Sequence, residues 1–191
     1  MKKSKKYTVK LKRKVKTNYK KRLKFVLSKK LRLVIRPKLN NIITQIVEYN
    51  PNGDIILVDA QANHLKKYGW KLHTGNMPSA YLTGLLIGVK AKKKNITEAI
   101  VDFGVNSVIK YSRLYAVVKG ALDAGLKIPH SKEVLPKDDK ITGESISNFL
   151  SNLDSKKYPN QFSNYLKNNI KHEDIVNHFN EIKNKILKEN G

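Results

Sequence analysis

Three short runs rich in isoleucine, valine and leucine dominate the first third of the chain, at residues 31–36, 42–49 and 55–60. Their lengths and their β-branched side chains are typical of β-strands. A Pro-Asn-Gly sequence at 51–53 separates the second run from the third, and these residue types form turns. The pattern predicts three antiparallel strands, of which the last two form a hairpin.

Apolar residues with helical spacing are found on both sides of these strands. Tyr19, Leu23 and Leu27 recur four residues apart with lysines between them, behind Thr17 as a candidate N-cap. This spacing predicts a helix with one basic, solvated face. Further helices are predicted at 62–68, 78–92, 112–124, 144–153 and 173–187, with a buried strand at 98–103. The order, strands first and then helix alternating with strand, predicts an α/β fold.

Two glycines lie within the most apolar predicted helix, at 78–92. Gly84 and Gly88 are four residues apart, so they fall on one side of that helix. A helix side without side chains lets a neighbouring element approach its backbone closely. We therefore expect tight packing at these glycines rather than membrane dimerisation.

Positive charge is concentrated at the amino end. The chain has 39 Lys and Arg against 15 Asp and Glu, a net charge of +24, and 18 of the cations precede residue 39, whereas the first acid is Glu48. Residues 1–16 contain few apolar side chains to bury, so we expect a basic arm, then a core at 17–130 and a helical extension at 131–191. Such an excess of one charge repels itself unless a polyanion neutralises it, so the expected partner is an acidic polymer.

The arm and one strand indicate RNA as that polymer. Each phosphate that a cation such as Lys10, Lys12 or Arg13 neutralises releases counterions, which gives affinity without reading sequence. Arg32 and Arg36 are four apart on a predicted strand, so both lie on the same side of the sheet. The alternatives are a solvated charge run or a nuclear-type address for the arm, and an ordinary exposed face for the strand.

Other kinds of chemistry lack a sequence signature. The chain has no cysteine, which excludes disulfides, thiolate catalysis and cysteine-ligated zinc. The longest apolar stretch, at 80–89, is shorter than the ~20 residues that a membrane-spanning helix needs, so we expect a cytoplasmic protein without a membrane partner. We expect no cofactor, no metal and no small-molecule substrate, since none of the corresponding motifs is recognisable.

Asp59, Asp102 and Asp123 raise the alternative of a magnesium-dependent nuclease, because carboxylates at strand ends can hold Mg²⁺ for phosphodiester cleavage. These aspartates have no spacing signature, and caps, turns and ion pairs account for them more simply. His73 and His130 lie in predicted loops outside any metal-ligand pair, so we expect structural or RNA-facing positions for them. We therefore expect no enzymatic activity.

One block of sequence resembles a known family. Residues 69–88 read G-W-K-L-H-T-G-N-M-P-S-A-Y-L-T-G-L-L-I-G, which is similar to the most characteristic block of the archaeal and eukaryotic branch of the L-eighteen ribosomal protein family. Three more segments are similar to that family and occur in its order: T-N-Y-K-K-R-L at 17–23, E-A-I-V-D-F-G at 98–104 and G-A-L-D-A-G-L-K-I-P-H at 120–130. The resemblance extends from residue 6 to residue 146.

The resemblance implies a three-layer α/β/α core with a mixed sheet, related to the ribonuclease-H-like fold but without its catalysis. It also implies that the basic arm and the sheet surface hold 5S rRNA on the large ribosomal subunit. That RNA would be attached to the large-subunit rRNA at the central protuberance, beside other ribosomal proteins. The RNA-binding residues expected from it are Lys10, Lys12, Arg13, Lys14, Lys16, Thr17, Tyr19, Arg22, Arg32, Arg36, Lys38, Thr74 and Asn76.

Two loops depart from the family pattern. The residues at 38–41 read K-L-N-N where members usually have a Ser-Asn-x-His turn, and 107–111 also differ, so the family's own contacts from these loops need not apply. Asn18 stands in place of the commoner aspartate and adds no negative charge near RNA. Two other functions stay open at this point. A general basic RNA-binding or chaperone protein would not need the block at 69–88, and a ribonuclease-H-like nuclease would need clustered carboxylates.

Overall fold

The computed structural model describes residues 17–153, 162, 165 and 173–188. Four strands lie within these ranges: β1 Arg32–Pro37, β2 Ile42–Glu48, β3 Ile55–Gln61 and β4 Ile100–Asp102. The α-helices there are α1 Tyr19–Ser28, α2 Met77–Lys93, α3 Arg113–Asp123, α4 Asp138–Thr142, α5 Glu144–Ser151 and α6 Asp174–Lys188. Two 3₁₀ segments, Ala62–Tyr68 and Lys132–Val134, lie between them.

The four strands form one mixed sheet in the order β3-β2-β1-β4. β1 pairs antiparallel with β2, and β2 with β3, as the strand and turn pattern predicts, whereas β1 and β4 are parallel. On β1 and β2, Arg32 lies opposite Val47, and Val34 lies opposite Gln45. The α/β fold with a mixed sheet is therefore confirmed, while its ribonuclease-H-like detail stays a prediction.

Helix α2 covers one face of the sheet and forms the centre of the core. Asn76 caps it, since its side-chain oxygen accepts a hydrogen bond from the Ser79 backbone N–H (3.0 Å), and Pro78 lies in the first turn, where its missing N–H has no intrahelical partner to lose. Leu33 and Ile35 of β1 are fully buried in the same core. Although α2 is apolar around most of its circumference, no helix in the described ranges is long and apolar enough to span a membrane.

Helices α2 and α3 meet backbone to backbone at glycines. A Cβ atom added at Gly84 would collide with the backbone carbonyl of Val117, and one added at Gly88 would collide with the Cβ of Ala124. Gly120 of α3 lies in the same contact and has no room for a side chain either. The expectation that Gly84 and Gly88 serve close packing is confirmed.

The helices after residue 131 join this core. The apolar stripe of α6 has the spacing predicted from the sequence and is buried in the cluster that contains α2, and its members are Ile175, Phe179, Ile182 and Ile186. On the same helix, the ring of His178 stacks on Trp70, with centroids 5.4 Å apart. Burial lowers the pKa of His178, so the imidazole is neutral at pH 7 and its Nε2 accepts the Lys71 backbone N–H (3.3 Å).

Some local predictions differ from the structure. The strand predicted at 98–103 is paired only at Ile100–Asp102, and Glu98 instead forms an isolated parallel bridge with Lys127. The segment predicted as a short helix at 62–68 is helical but of the 3₁₀ type. α4 and the 3₁₀ segment before it are absent from the sequence prediction, because elements this short show no period.

Candidate nucleic-acid interface

One face of the sheet, opposite α2, carries charged and polar side chains. Alternation along β1 puts Leu33 and Ile35 into the core. Arg32, Val34 and Arg36 lie on the other face, as the spacing of the two arginines predicts. We call this the open face of the sheet.

A groove of about 630 Å³ lies over the open face. Helix α1 forms one wall and the loop after β4 forms the other, while the strands form the floor. We call it the sheet groove and define it by its floor residues Val34, Gln45, Val47 and Ile56, its α1 wall of Lys21, Arg22 and Phe25, and its loop wall of Phe103 and Asn106.

Four charged side chains form a connected ion-pair network within the sheet groove. Arg22 donates two hydrogen bonds to Asp54 (3.1 and 3.0 Å), in the forked geometry that favours guanidinium–carboxylate pairs. Arg32 donates to Asp54 and also to Asp102 (3.0 Å), and Asp102 accepts the backbone N–H of Gly104 as well (2.8 Å). The network therefore joins α1, the β2–β3 turn, β1 and the loop after β4.

Asp54 is the acceptor at the centre of this network. Burial raises the pKa of its carboxyl, but the hydrogen bonds and charges of Arg22 and Arg32 outweigh that effect, so the pKa lies below its ordinary value. Asp54 is thus ionised at neutral pH. Sequence reasoning missed this residue, because an acid beside a Pro-Asn-Gly turn has an ordinary place there. The signal that could have identified Asp54 is its charge, because it is only the second acidic residue along a strongly basic chain.

Two of the predicted RNA-binding residues, Arg22 and Arg32, belong to this network and are therefore engaged within the protein. Arg32 is only 5% exposed, and carboxylates engage both ends of its guanidinium group, so its charge is neutralised within the protein. The side chain of Arg22 is 36% exposed and spans α1 and the β2–β3 turn. This geometry does not test whether Arg22 or Arg32 contacts RNA. It favours Arg32 as a residue that holds the walls of the sheet groove in position.

Other cations on the same side of the molecule remain free for an external partner. Lys21 and Arg36 on the sheet groove, and Lys38 just beyond β1, are exposed. No hydrogen bond or ion pair engages these three side chains within the described parts of the chain. Lys20 and Lys24 of α1 are exposed as well. The sheet groove and the helix that forms its wall therefore carry exposed positive charge although two arginines of the groove are paired.

Helix α1 differs from its predicted form in two respects. Its N-cap is Asn18, whose side-chain oxygen accepts the Lys21 backbone N–H (3.0 Å), whereas Thr17, predicted as the cap, lines the sheet groove. None of its residues is buried, and Tyr19 and Leu23 are 50% and 59% exposed. The apolar stripe therefore faces outward, because periodicity shows that a helix has two faces but not which one is covered.

Two further predicted RNA-binding residues have partners inside the protein. Thr74 is 8% exposed, and its hydroxyl donates to the backbone carbonyl of Asn40, which ties the loop before α2 to the β1–β2 loop. His73 reaches the Asn40 side chain from the same loop (3.2 Å), and Asn76 caps α2. Contacts of Thr74 and Asn76 with RNA stay a prediction, while the observed contact of Thr74 joins the two loops and that of Asn76 caps α2.

The basic arm is attached beside the sheet groove. The described residues begin at Thr17, which lines the groove, and the arm directly precedes it in the sequence. The predicted RNA-binding residues of the arm lie outside the described residues, and they are Lys10, Lys12, Arg13, Lys14 and Lys16.

The aspartates considered for metal-dependent cleavage have other surroundings. Asp102 is paired with Arg32, Asp123 accepts the Tyr81 hydroxyl (2.7 Å), and Asp59 is exposed on β3. Among the described residues, no group of three or more His, Asp or Glu side chains is arranged to hold a metal ion. The observed chemistry of Asp102 and Asp123 is that of an ion pair and a hydrogen bond.

Comparison with known proteins shows which sequences are similar to this chain. A family model described as ribosomal large subunit proteins 60S L5, and 50S L18 matches residues 5–98. The large ribosomal subunit protein uL18 of Methanococcus maripaludis is 42% identical to this chain over 150 residues, which cover 78% of each protein. The range matched by the family includes α2 as well as α1 and β1 to β3, and the latter four elements provide one wall and the floor of the sheet groove.

Proposed function

Because this chain belongs to the family of ribosomal large-subunit proteins that comprises 60S L5 and 50S L18, we propose that it binds 5S rRNA and helps to attach it to the large-subunit rRNA at the central protuberance. The family recognised from the block at 69–88 is confirmed. Membership makes the chain a structural constituent of the large ribosomal subunit in the cytoplasm, with rRNA and other ribosomal proteins as partners. The choice of 5S rRNA among these partners is the proposal.

The open face of the sheet is the observation that carries this proposal. It presents Lys21 and Arg36 to solvent, and the arm with its nine cations is attached at Thr17 on the same side. Clustered Lys and Arg on one surface form the electrostatic footprint of a nucleic-acid-binding protein, because each neutralised phosphate releases condensed counterions. The acidic polymer expected from the net charge of +24 therefore has a defined surface to bind.

Selectivity for one RNA requires more than positive charge. Phosphate contacts position a protein on RNA but carry no sequence information of their own. Discrimination needs a surface of fixed shape, and the ion-pair network supplies one by joining α1 to the sheet and to the loop after β4. We therefore assign affinity mainly to the arm and the free cations, and selectivity to the folded groove.

The predicted RNA-binding residues of the folded part divide into two groups in this proposal. Arg36, Lys38 and Tyr19 are exposed, so they contact RNA directly. Arg32 acts through Asp54 by holding the walls of the sheet groove in place. A residue of this second kind affects RNA binding without touching the RNA. The role is structural, and we propose that the chain has no catalytic activity.

A competition experiment tests the proposal. The full chain is titrated against labelled 5S rRNA transcript, tRNA and a scrambled RNA of equal length at ~0.15 M monovalent salt, near physiological ionic strength. The proposal predicts the tightest binding to 5S rRNA. Equal affinities for the three RNAs would reject 5S rRNA as the specific partner and favour a general basic RNA-binding protein.

A further inference from the structure

Part of the surface of the sheet groove is apolar, and binding of phosphates alone would leave that part uncovered. Val34 and Val47 lie in its floor but are only 7% and 4% exposed, so Ile56 beside them, which is 54% exposed, supplies most of the accessible apolar surface of the floor. The rings of Phe25 and Phe103 line the two walls. Such surface gains free energy when another apolar or aromatic surface covers it. The groove therefore offers a place for a flat aromatic group as well as for charge.

The charge around the sheet groove limits how many phosphates it holds. The two arginines and two aspartates of the ion-pair network sum to zero. Lys21 and Arg36 are the other charged residues of the groove lining, and neither has an ion-pair partner within the described ranges. Because one cation neutralises about one phosphate, these two match the backbone around a single nucleotide better than a stretch of duplex.

Gln45 lies in the middle of the groove floor with its side-chain amide free. It is half-buried on β2, opposite Val34 of β1 and Asp59 of β3. No hydrogen bond engages the amide within the part of the chain that the structure describes. An amide carries a donor and an acceptor in one plane, which matches the edge of a nucleobase. A half-buried amide without a partner favours a ligand that supplies one.

We propose that the sheet groove receives one unstacked nucleotide of the bound RNA, with its base on the apolar floor, its edge at Gln45 and its phosphate at Lys21 or Arg36. This inference rests on the proposed RNA-binding function and adds the mode of recognition. Proteins read RNA sequence mainly at unstacked bases, since side chains cannot enter the narrow major groove of A-form helices. The groove volume of about 630 Å³ lies within the range of about 300 to 1,000 Å³ usual for small-ligand pockets.

Salt-dependent binding of the full chain to 5S rRNA transcript and to tRNA tests this proposal. Gln45→Ala should weaken binding to whichever RNA the wild type prefers by about tenfold, the size of one lost base contact. The slope of log affinity against log salt should stay unchanged, because no phosphate contact is removed. Gln45→Glu keeps the shape of the side chain, removes the amide's N–H donor and places a negative charge in the groove at the base edge, so it should weaken binding further.

A matched control removes an amide elsewhere. Asn184→Ala deletes an exposed amide from α6, which packs on α2 and not on the open face, and should leave affinity and slope at wild-type values. Wild-type affinity of Gln45→Ala overturns the groove proposal. A wild type that binds both RNAs equally overturns the 5S proposal instead, so the two failures are distinguishable.

Chemical probing of base edges gives a second, independent readout. In the wild-type complex, one nucleotide should be protected from a reagent that methylates Watson–Crick edges, and Gln45→Ala should restore its reactivity while other protections remain. A protection pattern identical in wild type and Gln45→Ala would show that the groove holds backbone only, and the proposal fails.

Discussion

The two faces of the sheet use alternate residues of the same strands for opposite purposes. On the core face, Leu33 and Ile35 are fully buried under α2, which in turn contacts α3 through glycines. On the open face, Arg32 is satisfied by carboxylates, while Arg36 has no partner in the described ranges. Stability is concentrated on one face and the capacity to bind on the other.

The difference shows how a very basic chain keeps a fixed surface. The free energy of unfolding comes from apolar packing on the core face, from which charged side chains are excluded. The cations on the other face can therefore remain available for an external partner. The shape of the open face rests on ion pairs as well as on apolar contacts, since Val34 and Val47 are only 7% and 4% exposed there. Its ion-pair network holds α1 and the β4 loop in place through Asp54 and Asp102.

The largest expected effect comes from breaking the core face. Ile35→Ala removes three carbon atoms from a fully buried position and should lower the free energy of unfolding by about 3 kcal/mol. RNA affinity of the folded variant should stay at the wild-type value, since Ile35 points away from the groove. Urea denaturation and RNA titration below the unfolding transition measure the two effects. Unchanged stability would contradict the assignment of this face to the core.

An intermediate effect is expected from the ion-pair network. Asp54→Asn leaves Arg32 with one carboxylate and should lower the free energy of unfolding at pH 7 by about 2 kcal/mol. Glu48→Gln is the matched control, because Glu48 is exposed and no ion pair engages it within the described ranges, and it should have little effect. Equal stabilities of the two variants would show that the network does not hold the groove.

The effect of Asp54→Asn on the free energy of unfolding should depend on pH. Because the folded-state pKa of Asp54 lies below its ordinary value, the stability that its charge contributes is fully present above the ordinary pKa of about 4 and is lost as the pH falls through the folded-state pKa. The stability difference between wild type and Asp54→Asn should therefore shrink below pH 4. A constant difference down to pH 2 would contradict this account.

The smallest effect on stability is expected at Arg36. Arg36→Ala should change the free energy of unfolding by no more than about 0.5 kcal/mol, because the side chain is exposed and unpaired in the described ranges. It should reduce the slope of log RNA affinity against log salt by about 0.7 to 0.9, the loss of one phosphate contact. Lys92→Ala removes an exposed cation from α2 and serves as the control. Equal slopes in both variants would place Arg36 outside the interface.

Sequence periodicity was sufficient for the longer helices, for the three strands rich in isoleucine, valine and leucine, and for the two faces of β1. The four-residue spacing of Arg32 and Arg36 placed them together on the open face because side chains in a regular strand alternate between the two faces. The stripe of α6 was equally predictable, since a helix that buries one side must repeat apolar residues at helical spacing. Both predictions rest on local geometry alone.

The partners of the polar residues could not be predicted in the same way. Arg22, Arg32, Asp54 and Asp102 lie far apart in the sequence and meet only after the sheet and α1 have assembled. The outward direction of the α1 stripe likewise depends on what the rest of the fold covers. Sequence composition identified a basic surface, but it could not show which cations the protein neutralises itself.

Chemical modification of lysines tests most directly the claim that the open face is the RNA interface. Amine reactivity is measured lysine by lysine in the free chain and in its complex with 5S rRNA, by mass spectrometry. The account predicts that RNA protects Lys21, Lys24 and Lys38, while the exposed Lys92 and Lys188, at the ends of α2 and α6, keep their reactivity. Protection of Lys92 and Lys188 with full reactivity of Lys21, Lys24 and Lys38 would contradict it.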